Sequence, residues 1–289
     1  MPSRAETLIT VDELADLITA IEPIVVLDVR WQLDRPDGRD AYAESHIPGA
    51  VYVDLETELS DHSVLGRGRH PLPSGSALQA TARRWGVRDG VPIIVYDNWN
   101  RAGSARAWWV LRAAGIADIR ILDGGLGAWV AAGREVAAGA VHPPLGDVHI
   151  EHEDLYVGAL ATVDADEAAV LADAGALIDA RAPERFRGEV EPVDAVPGHV
   201  PGARNVPSGA VLDEHGFFRP AAELEALFKQ VRDADRVGAY CGSGVTAAVD
   251  IAALRVLGID AALFPGSWSQ WSSETGRPIA TGISTPFPD

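Results

Sequence analysis

The single cysteine of the chain, Cys241, lies in a segment that is suited to thiol chemistry. An apolar run at residues 237–240 precedes it, Gly242 and Gly244 follow it, and residues 247–257 place apolar side chains at helical spacing. This pattern predicts a strand, a tight loop and a helix, with the thiol on the loop. The amino end of a helix and the N–H groups of a glycine-rich turn both stabilise an anion. We therefore expect a nucleophilic thiolate rather than a buried structural cysteine.

The residues that follow Cys241 distinguish two kinds of thiol chemistry. A cysteine phosphatase needs an arginine that closes the loop and holds a phosphoryl group with its planar guanidinium. The sixth residue after Cys241 is Ala247, and no Arg or Lys occurs between Cys241 and Leu254. Phosphoryl transfer is therefore disfavoured. Only an observed hydrolysis of a phosphate ester would support the phosphatase hypothesis again. The leading hypothesis is a thiolate that accepts and carries sulfur.

Composition limits the class of protein. Hydrophobic residues make up 47% and charged residues 23% of the 289 residues, which is typical of a globular protein. The formal net charge of −18 argues against nucleic acid and anionic membranes as partners, so local groups must form any anion site. One cysteine excludes an internal disulfide and fits a reducing compartment. Residues 1–8 lack a signal pattern and no stretch of about 18 apolar residues occurs, so we expect a soluble, cytoplasmic protein. No metal-ligand spacing or cofactor fingerprint is found, so we expect neither a metal nor a cofactor.

The chain repeats its motifs in the same order. Asp-x-Arg at residues 28–30 returns at residues 179–181, and His-x-Pro-Gly-Ala at residues 46–50 returns at residues 199–203. Four further matches follow at a similar separation, so the sequence predicts a tandem duplication of one domain. Because both copies share the histidines and arginines of these motifs, we expect them to stabilise the fold rather than to perform catalysis.

The two copies differ at the position of the cysteine. The linker at residues 137–146 lacks a periodic pattern and contains two prolines, so we assign the domains to residues 1–145 and 146–289. Asp97 of the first domain stands where Cys241 stands in the second. A carboxylate cannot carry sulfane sulfur, so we expect the first domain to be inactive and the second to be catalytic.

Short apolar runs alternate with helical patterns in each copy. This alternation predicts an α/β fold in which helices flank a mostly parallel central sheet. Ligands in such folds bind beyond the carboxyl ends of the strands, where Cys241 falls. The predicted strands are residues 24–27, 92–96 and 119–122, and the predicted helices are residues 11–21, 77–85, 104–114, 164–173, 221–231 and 247–257.

The doubled motifs, together with Cys-Gly-Ser-Gly-Val-Thr-Ala at residues 241–247, resemble the two-domain rhodanese-type sulfurtransferases. The resemblance covers the whole chain and implies two tandem rhodanese-like domains and a persulfide intermediate on Cys241. Thiosulfate sulfurtransferases usually carry Cys-Arg-Lys-Gly-Val-Thr in this loop, whereas Gly242 and Ser243 are similar to the 3-mercaptopyruvate sulfurtransferases. The resemblance thus implies 3-mercaptopyruvate or thiosulfate as the donor, and cyanide, a small thiol or a dithiol protein as the acceptor.

The resemblance also implies roles for individual residues. Ser243 would assist proton transfer as the C–S bond of the donor breaks. A histidine and an acidic residue of the first domain would support it, and His70 with Asp54 or Glu56 lies in the matching region. A plain surface histidine is the alternative for His70. The backbone of the loop would stabilise the persulfide, through Gly242, Gly244, Val245 and Thr246.

The residues expected to bind the donor do not agree on which donor it is. Arg185 matches the substrate-binding arginine of the family, and a guanidinium holds a carboxylate or sulfonate by paired hydrogen bonds. Mercaptopyruvate enzymes typically have a second arginine further along, where this chain has Asp194. The loop therefore favours mercaptopyruvate, while Asp194 weakens that assignment. An alternative of another class is a sulfur carrier or sensor, in which Cys241 holds a persulfide without turnover.

Overall fold

Two parallel sheets, one in each half of the chain, carry the loops that matter for function. The structure, a computed structural model, describes residues 4–283. Within this range the strands are β1 (Leu8–Ile9), β2 (Val25–Asp28), β3 (Val51–Tyr52), β4 (Ile93–Tyr96), β5 (Ile119–Leu122), β6 (Leu177–Asp179), β7 (Arg204–Asn205), β8 (Val237–Tyr240) and β9 (Ala261–Leu263). The strand order is β1-β5-β4-β2-β3 in the first sheet and β7-β6-β8-β9 in the second. All of these pairings are parallel.

Helices connect the strands, as parallel pairing requires. The helices of the first half are α1 (Arg4–Thr7), α2 (Val11–Thr19), α3 (Arg39–Glu44), α4 (Leu55–Glu58), α5 (Gly75–Arg84), α6 (Ala102–Ala113) and α7 (Gly125–Ala131). Those of the second half are α8 (Ala165–Asp173), α9 (Pro183–Phe186), α10 (Ala221–Leu227), α11 (Ala247–Val256) and α12 (Ser267–Trp271), with short 3₁₀ helices at Leu155–Val157 and Ser208–Val211. None of the helices within residues 4–283 has the length and apolar character needed to cross a membrane.

The two halves share one apolar core. Side chains alternate between the faces of a strand, so each sheet buries two sets of residues. The facing sides of the two sheets, with Leu27 and Val95 in the first and Ile178 and Ala239 in the second, belong to one buried cluster that includes α6 and α11. Separate clusters cover the outer sides, under α2 and α7 in the first half and under α8 and α12 in the second. Helices α6 and α11 pack against each other in the middle.

The repeated Asp-x-Arg motif forms a buried ion pair in each half. Asp28 pairs with Arg30 at 2.9 Å, and Asp179 pairs with Arg181 at 2.6 Å. Each arginine also donates to a carbonyl oxygen near the repeated histidine, at Ser45 in the first half and in the equivalent turn of the second half. These matching contacts tie a strand to the following turn in both halves, as expected of residues that stabilise the fold.

The predicted α/β architecture and its parallel sheets are confirmed. Each strand and helix predicted from the sequence is present, although the helix predicted at residues 221–231 ends at Leu227. The two-residue strands β1, β3 and β7 were not predicted, because a pair of residues shows no periodicity. The domain boundary at residue 145 stays a prediction. Residues 1–3 and 284–289, which fall in the two assigned domains, lie outside the described residues.

Gly103 sets how closely α6 can pack on the first sheet. A Cβ atom on Gly103 would lie 1.9 Å from the carbonyl oxygen of Val29, which follows β2. The helix would have to move to accept any side chain there. We therefore expect Gly103→Ala to lower the free energy of unfolding by about 2 kcal/mol, as overpacking of a core does. Chemical denaturation measures this change.

Gly127 provides the matched control within α7. It is exposed, and a Cβ atom there would contact nothing within 4 Å. Gly127→Ala should raise the free energy of unfolding by about 0.5 to 1 kcal/mol, because alanine loses less backbone entropy in a helix. Similar effects of the two substitutions would contradict the close packing of α6 on the sheet.

Candidate active site

The loop at residues 241–246, termed the Cys241 loop, joins β8 to α11. Cys241 is 2% exposed. Its N–H donates to Ser267 Oγ at 3.1 Å, and its carbonyl oxygen accepts from the N–H of Trp268 at 3.0 Å. Gly244 has a φ of +77°, and a Cβ atom there would lie 2.5 Å from the carbonyl oxygen of Pro265. The start of α12 and the turn before it therefore fix the loop from outside, and the close approach requires glycine at position 244.

The backbone of the Cys241 loop leaves several N–H groups without an acceptor. Among the hydrogen bonds described for residues 4–283, none is donated by the N–H groups of Gly242, Ser243, Gly244, Val245 and Thr246. These N–H groups follow Cys241 directly and lead into the amino end of α11. Unused N–H groups of successive residues are suited to binding an anion.

The first half of the chain contains an equivalent loop, in which the carboxylate of Asp97 is the anion that accepts hydrogen bonds from the N–H groups. Asp97 Oδ1 accepts from the N–H groups of Trp99 at 2.9 Å and Arg101 at 3.3 Å. Asp97 Oδ2 accepts from the N–H and the hydroxyl of Ser104, at 3.1 and 2.6 Å. The carboxylate of Asp97 thus occupies the loop that, in the second half, begins at Cys241. A negatively charged sulfur on Cys241 would meet the corresponding N–H groups.

A line of hydrogen bonds joins the Cys241 loop to the first half of the chain. Ser243 Oγ lies 2.7 Å from His70 Nδ1, and His70 Nε2 lies 3.0 Å from Glu56 Oε1. The indole of Trp31 donates to the same Glu56 oxygen at 2.6 Å, and His62 lies 3.1 Å from the other. Because a carboxylate only accepts, the proton of His70 belongs on Nε2, and Nδ1 accepts the hydroxyl proton of Ser243.

The ionisation of this line follows from its contacts. The hydrogen bond from His70 lowers the pKa of Glu56 to about 2, against the opposing effect of burial, with Trp31 and His62 contributing. Burial lowers the pKa of His70 below its usual 6.5, and the hydrogen bond to Glu56 offsets part of that effect. At neutral pH Glu56 is therefore charged and His70 is neutral. A neutral imidazole beside a hydroxyl can act as a general base.

Asp54 and Glu56, the two carboxylates considered from the sequence, make different contacts. Asp54 accepts from the N–H groups of Glu56 at 3.0 Å and Thr57 at 3.3 Å, at the start of α4, and pairs with Arg39 at 2.7 Å. Its described contacts are therefore those of a helix cap, whereas the Glu56 side chain reaches His70. His70 is 5% exposed, so the alternative of a plain surface histidine is wrong.

Arg106 on α6 is a fully buried cation behind the Cys241 loop, and sequence reasoning missed it. Its guanidinium donates to the carbonyl oxygens of Gly244 at 3.1 Å and of Leu59 and His70 at 3.0 Å. Burial lowers the pKa of Arg106 to about 10, and the attraction of Cys241 is among the opposing effects. Arg106 therefore stays charged at neutral pH, which places a buried positive charge behind the Cys241 loop.

Two arginines flank the Cys241 loop at Gly242. A Cβ atom on Gly242 would lie 3.0 Å from Arg69 Nη2 and 3.6 Å from Arg185 Nη1. Arg185, singled out from the sequence, also pairs with Glu191 at 2.6 Å. Sequence reasoning missed Arg69, for which the only signal was its position beside His70. Asp194 forms an ion pair with Arg69 and lies 3.6 Å from Arg185.

Within residues 4–283 no group of three or more His, Cys, Asp or Glu side chains is arranged to hold a metal ion. The candidate active site instead combines a thiol, free N–H groups, a hydroxyl with a neutral imidazole, and two guanidinium groups. These groups come from both halves of the chain. The set is suited to a sulfur nucleophile that acts on a small anionic substrate.

Comparison with known proteins identifies the family. The profile of the rhodanese-like domain matches residues 10–132 and 164–274. A Mycobacterium tuberculosis protein provisionally named thiosulfate sulfurtransferase SseB is 60% identical over 286 residues, covering 98% of this chain and 100% of its own. A Pseudomonas aeruginosa protein provisionally named 3-mercaptopyruvate sulfurtransferase is 41% identical over 284 residues, covering 95% of this chain and 98% of its own.

A solved structure agrees with these relatives. SseA from Escherichia coli, described as a 3-mercaptopyruvate sulfotransferase with a rhodanese fold, superposes with a TM-score of 0.78 and 34% identity. The match covers 91% of this chain and 98% of that one. The chain belongs to the rhodanese-like family, as a sulfurtransferase with two rhodanese-like domains. The resemblance noted in the sequence is thereby confirmed.

Arg106 should be essential to the stability of the domain interface. Arg106→Met leaves the carbonyl oxygens of Gly244, Leu59 and His70 without their guanidinium donor, so we expect a loss of about 3 kcal/mol in the free energy of unfolding. The matched control is Arg88→Met, which removes an exposed guanidinium from the same half and should change stability by less than about 0.5 kcal/mol. Equal effects in urea denaturation would show that the buried contacts contribute nothing.

The hydrogen bond between Glu56 and His70 should appear in the pH dependence of stability. The folded-state pKa of Glu56 is about 2 and its usual value is 4.5, so ionised Glu56 stabilises the fold fully above pH 4.5. That contribution is lost as the pH falls from 4.5 towards 2. We expect the stability difference between wild type and Glu56→Gln to shrink over this range. The exposed Glu214→Gln variant is the control for charge, and a pH-independent difference would contradict the assignment.

Proposed function

We propose that the protein transfers sulfur from 3-mercaptopyruvate to a thiophilic acceptor, with Cys241 as nucleophile and as carrier of the sulfane sulfur. The observation that carries the choice of donor is the hydrogen-bonded line from Ser243 through His70 to Glu56. The two candidate donors differ in whether a proton must move, so a site with a proton relay favours the donor that needs one.

The first half-reaction with 3-mercaptopyruvate requires proton transfer. The Cys241 thiolate attacks the sulfur of the donor, and the electrons of the C–S bond leave on carbon as the enolate of pyruvate. The thiol proton of the donor passes through the hydroxyl of Ser243 to His70, and a proton returns to the enolate carbon to give pyruvate. The charge of Glu56 stabilises the imidazolium formed in between. The persulfide anion on Cys241 is held by the N–H groups of the Cys241 loop.

Thiosulfate is the second candidate donor, and specific observations favour it. When the thiolate attacks thiosulfate, the S–S bond breaks and sulfite leaves with both electrons, so no proton is needed. The dianion would be attracted by Arg69 and Arg185, which both lie beside Gly242. The 60% identical relative from Mycobacterium tuberculosis is also named for thiosulfate.

In the second half-reaction the acceptor removes the outer sulfur. A thiolate or cyanide attacks it, the S–S bond breaks and its electrons return to Cys241 as the thiolate. Because Cys241 is 2% exposed, the acceptor is small or reaches the loop by a narrow extension, such as cyanide, a small thiol or a dithiol protein. The net charge of −18 argues against nucleic acid and anionic membranes as partners. Thiol acceptors are kept reduced in the cytosol, so we propose the cytoplasm as the place of action.

Steady-state kinetics with both donors and cyanide test this proposal. We expect kcat/KM to be higher for 3-mercaptopyruvate than for thiosulfate in the wild type, and Cys241→Ser to abolish turnover of both. Ser243→Ala should lower kcat/KM for mercaptopyruvate by about 100-fold, the usual size of a general acid–base contribution, and change thiosulfate turnover little. Ser273→Ala, at an exposed serine of the same domain, is the matched control.

The alternatives predict different results. A preference for thiosulfate that is insensitive to Ser243→Ala would establish the second candidate. Turnover that survives Cys241→Ser would overturn the mechanism for both donors. A gain of one sulfur on Cys241 without turnover, measured by mass spectrometry, would indicate a sulfur carrier.

A further inference from the structure

The anion site beside Cys241 is built across the two domains. Arg69 belongs to the segment that leads to His70 in the first domain, whereas Arg185 is on α9 of the second. Both guanidinium groups lie beside Gly242, the residue next to Cys241. A donor whose sulfur reaches Cys241 would bring its anionic group towards this pair.

A carboxylate of the protein already lies at this pair of arginines. Asp194 bonds to Arg69 and lies 3.6 Å from Arg185. Its side chain is 8% exposed, and its Oδ2 has no hydrogen-bond partner among the described residues. A carboxylate between two guanidinium groups is the arrangement that a donor carboxylate would adopt. Asp194 therefore lies between two guanidinium groups and is incompletely satisfied there.

The charges of this cluster are balanced before any donor binds. Arg185 is compensated by Glu191 at 2.6 Å, and Arg69 is compensated by Asp194. A donor anion adds a charge that the cluster can accept only if one of these carboxylates withdraws. Asp194 is the one that can be released more easily, because burial raises its pKa and destabilises its charge. Glu191 is fixed by Arg181 at 3.4 Å as well as by Arg185.

We propose that Arg69 is the second donor-binding arginine of this enzyme, supplied by the first domain, and that Asp194 is a resident carboxylate which the donor displaces. The proposal rests on the proposed function for the identity of the donor. The absence of a side chain at Gly242 leaves room for Arg69, because even a Cβ atom would lie 3.0 Å from its guanidinium. Gly242 and Arg69 together place one cation next to the nucleophile without an arginine in the loop itself.

Binding of pyruvate to the Cys241→Ser protein tests this proposal without any chemistry. Pyruvate carries the carboxylate of the donor, and calorimetry gives its Kd. Arg69→Gln should raise the Kd by about tenfold, because a charge-assisted hydrogen bond is lost. Asp194→Asn should lower the Kd several-fold, because the competing charge is removed while the shape is kept. Arg67→Gln, at an exposed arginine of the same segment, should leave the Kd unchanged.

The opposite signs of the two effects are the decisive result. If the Arg69–Asp194 pair only joins the domains, both substitutions lower the thermal stability and shift the Kd in the same direction or not at all. That result would overturn the proposal, whichever donor the kinetic assays favour. Failure of the proposed function would be seen in a separate experiment. The wild-type protein, which retains the thiol, would then form no persulfide on Cys241.

Discussion

A negative charge on the buried sulfur of Cys241 must be stabilised without water, and this constraint explains most of the structure around Cys241. Burial of an unpaired charge is costly unless hydrogen bonds and an opposite charge replace its hydration. The Cys241 loop supplies N–H groups, and Arg106, which donates to the carbonyl oxygen of Gly244, places a buried positive charge behind the loop. Arg106 also bonds to the carbonyl oxygen of His70, so one guanidinium positions the nucleophilic loop and the proposed base together.

The same constraint gives the first domain a purpose although it lacks the thiol. It contributes His70, Arg106 and Arg69, which contact the Cys241 loop, and Glu56, which bonds to His70. Its own loop is closed by the carboxylate of Asp97, which permanently accepts the N–H groups that an anion would need. The duplication thus produced one loop that binds its own side chain and one that remains open to a sulfur anion.

Local charges rather than the overall charge govern the choice of substrate. A chain with a net charge of −18 repels small anions at long range, so the attraction of a small anion close to the nucleophile depends on the guanidinium groups of Arg69 and Arg185 beside Gly242. Both arginines are compensated by carboxylates in the free protein, so the cleft does not hold excess positive charge. The proposed displacement of Asp194 would make binding depend on a ligand that can replace a carboxylate.

The sequence by itself determined the duplication, the parallel α/β domains and the position of Cys241 on a loop before a helix, because these depend on local periodicity and on glycines at fixed spacing. It also gave His70 and Ser243 as candidates through the family resemblance. Only the tertiary structure decided between Asp54 and Glu56, which are two residues apart but point to a helix end and to His70 respectively. Arg69 and Arg106 were hidden for the same reason. Each contacts residues far away in the sequence. No local sequence pattern indicates which carbonyl oxygen or which loop a guanidinium contacts once the two domains have packed together.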